Sequence, residues 1–186
     1  MRARALLFCL LAATNASPAA EEVDAKLRDL LREAIEESVS FTDRYEAEVW
    51  LSDMSNRLAS RMPDPAERLE LLRLVHQEAT RANLPPELVL AVIEVESGFD
   101  RFAVSVAGAQ GLMQIMPFWL KEIGHPDDNL AHPQTNLRLG CTILRYYLDM
   151  EKGDLRKALA RYNGSAGKRK YPDKVFTALS ERWYRY

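Results

Sequence analysis

The sequence has 186 residues, of which 47% are hydrophobic, and carries a formal net charge of −2 at neutral pH. A chain of this length and composition can bury the core of one globular domain, with or without a helical extension, so disorder is excluded as its main state. The acidic balance argues against a nucleic-acid partner, because such partners are bound by clustered basic surfaces.

The first residues have the pattern of a secretory signal peptide. Arg2 and Arg4 precede an apolar run over 5–13, and the small residues of Thr14-Asn15-Ala16 offer a cleavage site. We therefore expect residues 1–16 to be a signal peptide, with cleavage there or a few residues later. The protein should be exported to the periplasm.

Neither a lipid anchor nor a permanent membrane span is expected. Cys9 follows the bulky Phe8, where a lipidation site prefers a small residue. The apolar run at the start is too short to remain in a bilayer, and no later segment approaches the roughly 20 apolar residues that a span requires. The mature protein should therefore lack an integral membrane span.

Three amphipathic helices are predicted between residues 21 and 83. Apolar residues recur at three- and four-residue spacing over 23–39, 43–61 and 64–83. The third helix has the clearest start, because Asp64-Pro65-Ala66-Glu67 combines a capping Asp, a Pro at the first helical position and a Glu three residues after the cap. These helices carry no chemical motif, so we interpret 21–83 as an N-terminal helical extension that serves packing.

The remaining residues, 84–186, are predicted to form a second unit. A central helix starts at Pro85-Pro86 and ends near Ser97 or Gly98, and a loop of small residues follows over 103–111. No stretch shows sustained alternation, so the fold class is all-α with at most a small ribbon near 103–109. Further helices are expected over 112–123, 133–150, 155–162 and 172–183.

The cysteine and histidines do not indicate a metal site or a cofactor. Cys141 is the one cysteine that remains after the signal, so it has no internal disulfide partner, and its helical position predicts a buried thiol. His76, His125 and His132 lack the spacing of metal ligands. We therefore predict no metal and no cofactor.

Two acids interrupt the apolar central helix. Glu96 shares a helical face with Val89 and Val92, which makes it the more inward of the pair, whereas Glu94 lies on another face. Glu96 also sits at the helix C-terminus, where both the macrodipole and an apolar surround raise the pKa of a carboxyl group. A carboxylic acid that stays protonated near neutral pH is what general-acid cleavage of a glycosidic bond requires. An ordinary salt bridge at Glu96 stays open as the alternative.

Four motifs in the second half of the chain occur in a fixed order. They are Glu96-Ser97-Gly98-Phe99, Gly108-Ala109-Gln110-Gly111-Leu112-Met113-Gln114-Ile115-Met116-Pro117, Asn136-Leu137-Arg138-Leu139-Gly140 and Ala160-Arg161-Tyr162-Asn163-Gly164. Together they resemble the catalytic domain of the soluble lytic transglycosylases, over about residues 84–183. The resemblance implies that 84–186 is the catalytic domain and that its fold is a lysozyme-like, goose-type helical one. It also implies a bacterial enzyme that cleaves peptidoglycan between N-acetylmuramic acid and N-acetylglucosamine.

The same resemblance implies the site residues. Glu96 is the single catalytic acid/base, and Ser97 helps to place its carboxyl group or the partners of that group. The substrate-binding residues implied are Met113 and Gln114, which line the sugar groove, and Tyr162 and Asn163, whose hydroxyl and amide face the acid. Each has a plain structural alternative, since Met113 could fill the core and Asn163 could simply end a helix.

This chain departs from the family pattern at two places. Arg161 stands before the tyrosine where the family usually has a small residue, and Gly164-Ser165-Ala166-Gly167 replaces the usual Ala-Gly after the asparagine. Val106 replaces a proline that is common in the small-residue loop. The basic run Lys168-Arg169-Lys170 has two open interpretations, contact with the acidic stem peptide or a solvated turn.

The implied reaction forms a 1,6-anhydromuramic end and needs one carboxyl group. The nearest alternative is a hydrolytic muramidase, which needs a second carboxylate such as Asp100 at about 5 to 9.5 Å. A non-catalytic wall-binding or secretion-apparatus scaffold is the alternative from another class. The expected partner is the peptidoglycan glycan strand, and cell-wall or secretion machinery stays open as a further partner.

Overall fold

The chain folds into an all-α assembly, as predicted. The computed structural model describes residues 25–37, 39–123, 125 and 127–184, so the expected signal peptide at 1–16 lies outside the described residues. Within them there is no named strand, only isolated bridges that pair Gln110 with Val104 and Ile115. The helices are α1 Ala25–Glu36, α2 Arg44–Leu58, α3 Pro65–Arg81, α4 Pro86–Glu96, α5 Phe118–Ile123, α6 Pro133–Met150, α7 Leu155–Tyr162 and α8 Lys170–Ala178, which a π-helical turn, Leu179–Trp183, continues.

Helices begin where the sequence offers a cap or a proline. Asp64 accepts hydrogen bonds from the backbone N–H groups of Ala66 and Glu67 at the start of α3. Asp154 caps α7 in the same way through the N–H of Lys157. These bonds satisfy donors that have no partner inside the helix.

Two helix starts differ from the prediction. The helix expected from residue 112 begins only at Phe118, because Gly111 and Gln114 take positive φ values of 76° and 50° and form a turn instead. The last helix begins at Lys170 rather than Pro172. Proline is compatible with the first turn because the N–H groups there lack helical partners anyway.

Helix α4 lies at the centre of the core. Every residue from Leu88 to Ile93 is buried, and α3, α8 and the π-helical turn all pack against the helix. A helix that is apolar around its whole circumference must be enclosed by neighbours. The C-terminal end of α4 is consequently held in a fixed position by elements from both halves of the chain.

The N-terminal helices share this core. Helices α1, α2 and α3 pack on one another, and α3 also contacts α4 and α6. Buried residues of α2, such as Trp50 and Met54, belong to the same apolar cluster as those of α4. The division of the chain at residue 84 stays a prediction. Among the described residues, no helix is both long and apolar enough to cross a membrane.

Asn136 of α6 fixes the turn that precedes α5. It is completely buried, its amide donates to the carbonyls of Gln110 and Leu130 at 2.9 Å each, and its Oδ1 accepts from the N–H of Met113 at 2.8 Å. Gly111 leaves room for this side chain, since a Cβ there would lie 2.3 Å from the Asn136 amide nitrogen. The third motif therefore holds the second in place.

Replacing Asn136 with leucine should destabilise the protein strongly. The change leaves the Met113 N–H and the Leu130 carbonyl without partners, whereas the Gln110 carbonyl keeps its hydrogen bond from the Ile115 N–H. Each unpaired group costs about 1–3 kcal/mol, so we expect a loss of at least about 2 kcal/mol. Urea unfolding measures the loss as a lower midpoint. The control is Gln134→Leu, an exposed position on the same helix. Equal midpoints for the two variants would contradict this role of Asn136.

Candidate functional site

Glu96 is the last residue of α4 and has a partly buried side chain. Burial raises the pKa of its carboxyl group from an ordinary value of 4.5 to about 7. Two weaker effects oppose the rise: the Tyr171 hydroxyl donates a hydrogen bond to Oε1 at 2.7 Å, and the Lys174 ammonium acts on the charge. At neutral pH a large fraction of Glu96 therefore keeps its proton.

Glu94, two residues earlier, has the opposite environment. Its carboxylate forms salt bridges with Arg61 at 2.8 Å and Arg182 at 2.6 Å, and it accepts a hydrogen bond from the Trp183 indole at 2.7 Å. Its side chain is only 9% exposed, so these contacts compensate a nearly buried charge. Glu94 joins α4 to the end of α2 and to the π-helical turn. The sequence predicts Glu96 to be the more inward of the two acids, but Glu94 is also nearly buried, so the two differ in their hydrogen-bond and ion-pair partners rather than in exposure.

Ser97 ties the end of α4 to the turn held by Asn136. Its hydroxyl donates to the carbonyl of Leu112 at 2.8 Å and also lies 3.2 Å from the carbonyl of Ile93. The resemblance implied that Ser97 places the Glu96 carboxyl group or its partners. The hydrogen bonds of Ser97 go to backbone carbonyls instead, so any effect on Glu96 is exerted through the position of the helix end.

Met113 corrects the prediction of a groove-lining side chain. The residue is completely buried, and its sulfur packs so closely on α6 that a Cβ at Gly140 would lie 2.3 Å from it. The side chain therefore fills the core, which was the open alternative, and it does not line a groove. Because Gly140 in the third motif has no side chain, it leaves space for the Met113 sulfur.

Gln114, the partner of Met113 in the motif, is partly exposed. Its side-chain amide donates to the carbonyls of Gly111 at 2.9 Å and Ala103 at 3.1 Å. These bonds hold the small-residue loop against the turn. They also fix the orientation of the side chain, so Gln114 presents a rigid polar group at the surface.

Tyr162 and Asn163 end α7 close to the same turn. The Tyr162 hydroxyl donates to the carbonyl of Met113 at 2.7 Å, and its pKa is raised mainly by burial and secondly by the nearby charge of Glu96. The hydroxyl thus lies near the acid, but its hydrogen bond goes to Met113. Asn163 is exposed and occupies the C-cap position of the helix.

Tyr171 is the residue that sequence reasoning missed. It is buried on α8 at 7% exposure, and its hydroxyl donates a hydrogen bond to Glu96, whereas the resemblance implies that the Tyr162 hydroxyl faces the acid. Burial raises the pKa of its hydroxyl well above the ordinary value of 10, so it remains a donor. The sequence offered one signal that Tyr171 is buried: it lies one turn before Val175, on the apolar stripe of α8.

The departures from the family pattern lie at the edge of the site. Arg161 forms an ion pair with Glu151, which links the ends of α6 and α7.

Cys141 is fully buried, as predicted, and burial raises the pKa of its thiol. In the part of the chain that the structure describes, no group of three or more His, Cys, Asp or Glu side chains is placed to hold a metal ion.

A family model for the transglycosylase SLT domain matches residues 73–181, more than half of the chain. The transglycosylase of Enterobacteria phage PRD1 is 37% identical over 105 residues, which cover 53% of this chain and 38% of that protein. The membrane-bound lytic murein transglycosylase C of Yersinia pestis (strain Pestoides F) is 33% identical over 112 residues, covering 52% of this chain and 31% of that one. The chain thus matches well under half the length of these relatives.

Among solved structures, an inactive mutant of the lytic transglycosylase Slt from Pseudomonas aeruginosa is similar to this chain. The sequence identity is 21% and the TM-score is 0.48. The match covers 82% of this chain and 33% of the solved one.

The raised pKa of Glu96 predicts a pH-dependent gain in stability for Glu96→Gln. Below pH 4.5 the group is protonated in both the folded and the unfolded chain. Between pH 4.5 and 7 the folded chain keeps a proton that the unfolded chain releases, so the wild type loses stability as the pH rises through this window. Glutamine removes that loss, which amounts to about 3 kcal/mol at most above pH 7.

Urea unfolding of both proteins at pH 4 and pH 8 measures this difference. The variant should match the wild type at the lower pH and exceed it at the higher one. Glu48→Gln, at an exposed position on α2, is the control and should follow the wild type at both. A variant that is less stable than the wild type at pH 8 would show that Glu96 is a paired carboxylate.

Proposed function

The chain belongs to the transglycosylase SLT family, and we propose that it is a lytic transglycosylase that cleaves the glycan strands of peptidoglycan. The observation that carries the proposal is Glu96, a carboxyl group with a pKa raised to about 7 by burial. An acid of this pKa can donate a proton near neutral pH and can afterwards act as a base. The names of the relatives, which include a lytic murein transglycosylase, support the same substrate.

In the proposed reaction Glu96 acts twice. Its proton passes to the oxygen that bridges N-acetylmuramic acid and N-acetylglucosamine as the bond from that oxygen to the muramic C1 breaks. The Glu96 carboxylate then takes the proton of the muramic C6 hydroxyl, whose oxygen bonds to C1 and closes a 1,6-anhydro ring. The carboxyl group is restored and no water is consumed.

The surroundings of Glu96 support a mechanism with one carboxyl group. The charged side chain that acts on its pKa is a cation, Lys174, rather than a second carboxylate. Asp100, the candidate second acid, is exposed and accepts a hydrogen bond from the N–H of Phe102 within its own turn. A hydrolase would need a second carboxylate placed across the scissile bond.

We propose the remaining site residues in two groups. Tyr171 orients the Glu96 carboxyl group, while Ser97 and Tyr162 hold the end of α4 and the carbonyl of Met113 in a fixed relation. Gln114 and Asn163 contact the sugar, because Gln114 is partly exposed, Asn163 is exposed, and both carry polar amides. Met113 supports this surface from inside the core.

We also propose that the protein acts outside the cytoplasm, in the cell envelope, where its substrate is found. The basis for this is the signal-like pattern at residues 1–16. Peptidoglycan is the partner that the site supports. Nothing in the described surface favours a particular component of a secretion apparatus.

Replacing Glu96 with glutamine should abolish cleavage of purified sacculi while binding to them persists. Glutamine has nearly the same shape but cannot donate a proton, so the release of soluble fragments should stop. Muropeptide analysis of the wild-type digest should show anhydro ends, which resist borohydride. Reducible ends alone would identify a hydrolase, and an inactive wild type would identify a scaffold. Cleavage at an unchanged rate by the variant would exclude Glu96 as the acid.

Replacing Tyr171 with phenylalanine should lower the turnover rate about tenfold, since an orienting hydrogen bond is worth about 1 kcal/mol or slightly more. The lost bond favoured the carboxylate, so the pKa of Glu96 should rise and the alkaline limb of the pH–rate profile should move to higher pH. Tyr146→Phe, at an exposed position, is the matched control. A reduced rate with an unmoved alkaline limb would mean that Tyr171 acts on packing alone.

A further inference from the structure

Four basic side chains lie together around the start of α8. We call Lys168, Arg169, Lys170 and Lys174 the α8 basic cluster. All four are exposed, and none is ion-paired with an acidic side chain of the described residues. The acid within this stretch, Asp173, pairs with Arg156 of α7 instead. The cluster therefore presents four positive charges without a salt bridge to a described residue, on a chain whose net charge is −2.

This arrangement works against the stability of α8. Lys170 and Lys174 are four residues apart on the helix, where like charges repel one another. Three members of the cluster also stand at or just before the helix N-terminus, where the macrodipole disfavours positive charge. The repulsion between the lysines and the unfavourable interaction with the macrodipole are each small at an exposed site, but both destabilise the helix. The fold does not explain the cluster, so a ligand is the better explanation.

The position of the cluster connects it to the catalytic acid. Tyr171, which is bonded to Glu96, directly follows Lys170 and lies one turn from Lys174. The Lys174 ammonium is close enough to lower the pKa of Glu96 against the larger effect of burial. A glycan strand with its scissile bond at Glu96 must therefore pass beside the start of α8.

We propose that the α8 basic cluster binds the carboxylates of the stem peptide on the glycan strand, so that the enzyme prefers peptide-bearing glycan to stripped glycan. The inference rests on the proposed function. The muramic acid next to the scissile bond carries the peptide, whose acidic residues keep free carboxylates. Lysine ammonium groups on flexible stems can follow several positions of such carboxylates, which suits a mobile peptide.

An anionic membrane surface is the competing ligand, because it would also attract exposed lysines. The location beside Glu96 favours the peptide, since a substrate bound there brings its own carboxylates to the cluster. Attraction between exposed charges is screened by salt. A preference created by the cluster should accordingly weaken as the ionic strength rises.

The test compares two substrates and three proteins. The substrates are soluble glycan strands with their peptides and the same strands after an amidase has removed the peptides. The proteins are the wild type, the variant Lys168→Gln/Arg169→Gln/Lys170→Gln, and a control that removes three charges elsewhere, Arg44→Gln/Lys152→Gln/Lys157→Gln. Lys174 stays unchanged because it acts directly on the pKa of Glu96.

The wild type should have a kcat/KM about five-fold higher on peptide-bearing strands, as expected for a few exposed charge pairs. The cluster variant should lose this preference while its rate on stripped strands stays the same, and the control should keep the preference. Raising the salt concentration should reduce the preference of the wild type to that of the cluster variant.

Three results would overturn the inference. The first is a wild type that does not prefer peptide-bearing strands, and the second is a cluster variant that keeps this preference. The third is a cluster variant whose kcat/KM falls equally on both substrates, which would mark a structural defect. A cluster variant with an intact preference that fails to bind vesicles of anionic phospholipid, where the wild type binds, would assign the cluster to a membrane. If anhydro ends form but the wild type does not prefer peptide-bearing strands, this inference alone is wrong. If no anhydro ends form from either substrate, the proposed function is wrong as well.

Discussion

The burial of one carboxyl group at the end of an apolar helix is the constraint on which the site depends. Helix α4 must be enclosed because it is apolar all round, and the enclosure buries much of the Glu96 side chain, which forms no salt bridge with any residue that the structure describes. Glu94, two residues away, takes the available arginines instead. The same helix therefore carries one carboxylate that is held by salt bridges and one carboxyl group whose pKa is raised by burial.

Residues from the four motifs together fix the turn that contains Met113. Asn136 binds the backbone of that turn, Gly140 leaves space for Met113, and the Tyr162 hydroxyl holds the Met113 carbonyl. Ser97 then connects the turn to the end of α4. Most of these contacts are hydrogen bonds to backbone groups, so they set position and rigidity rather than chemistry. Precise placement of this kind is what a proton transfer to substrate requires.

Much of this organisation could be read from the sequence. Caps and prolines predicted the starts of α3, α6 and α7, because they act through local backbone chemistry. The position of Glu96 at the C-terminal end of the apolar helix α4 predicted that the pKa of its carboxyl group would be raised. The orientation of long-range contacts could not be read in this way. Met113 turned inward because Gly140, far along the chain, leaves a cavity for its sulfur, and Tyr171 reached Glu96 because α8 packs across α4.

Glu96 should keep its proton near neutral pH, and a direct titration of its carboxyl group tests this. Carbon NMR of the protein labelled at the glutamate carboxyl positions, compared with Glu96→Gln to assign the signal, would follow this single group as the pH is varied. One glutamate signal should titrate with a pKa of about 7, and this signal should be missing from the variant. A Glu96 signal that titrates near the ordinary value of 4.5 would show that the carboxyl group is ionised at neutral pH and cannot serve as the acid.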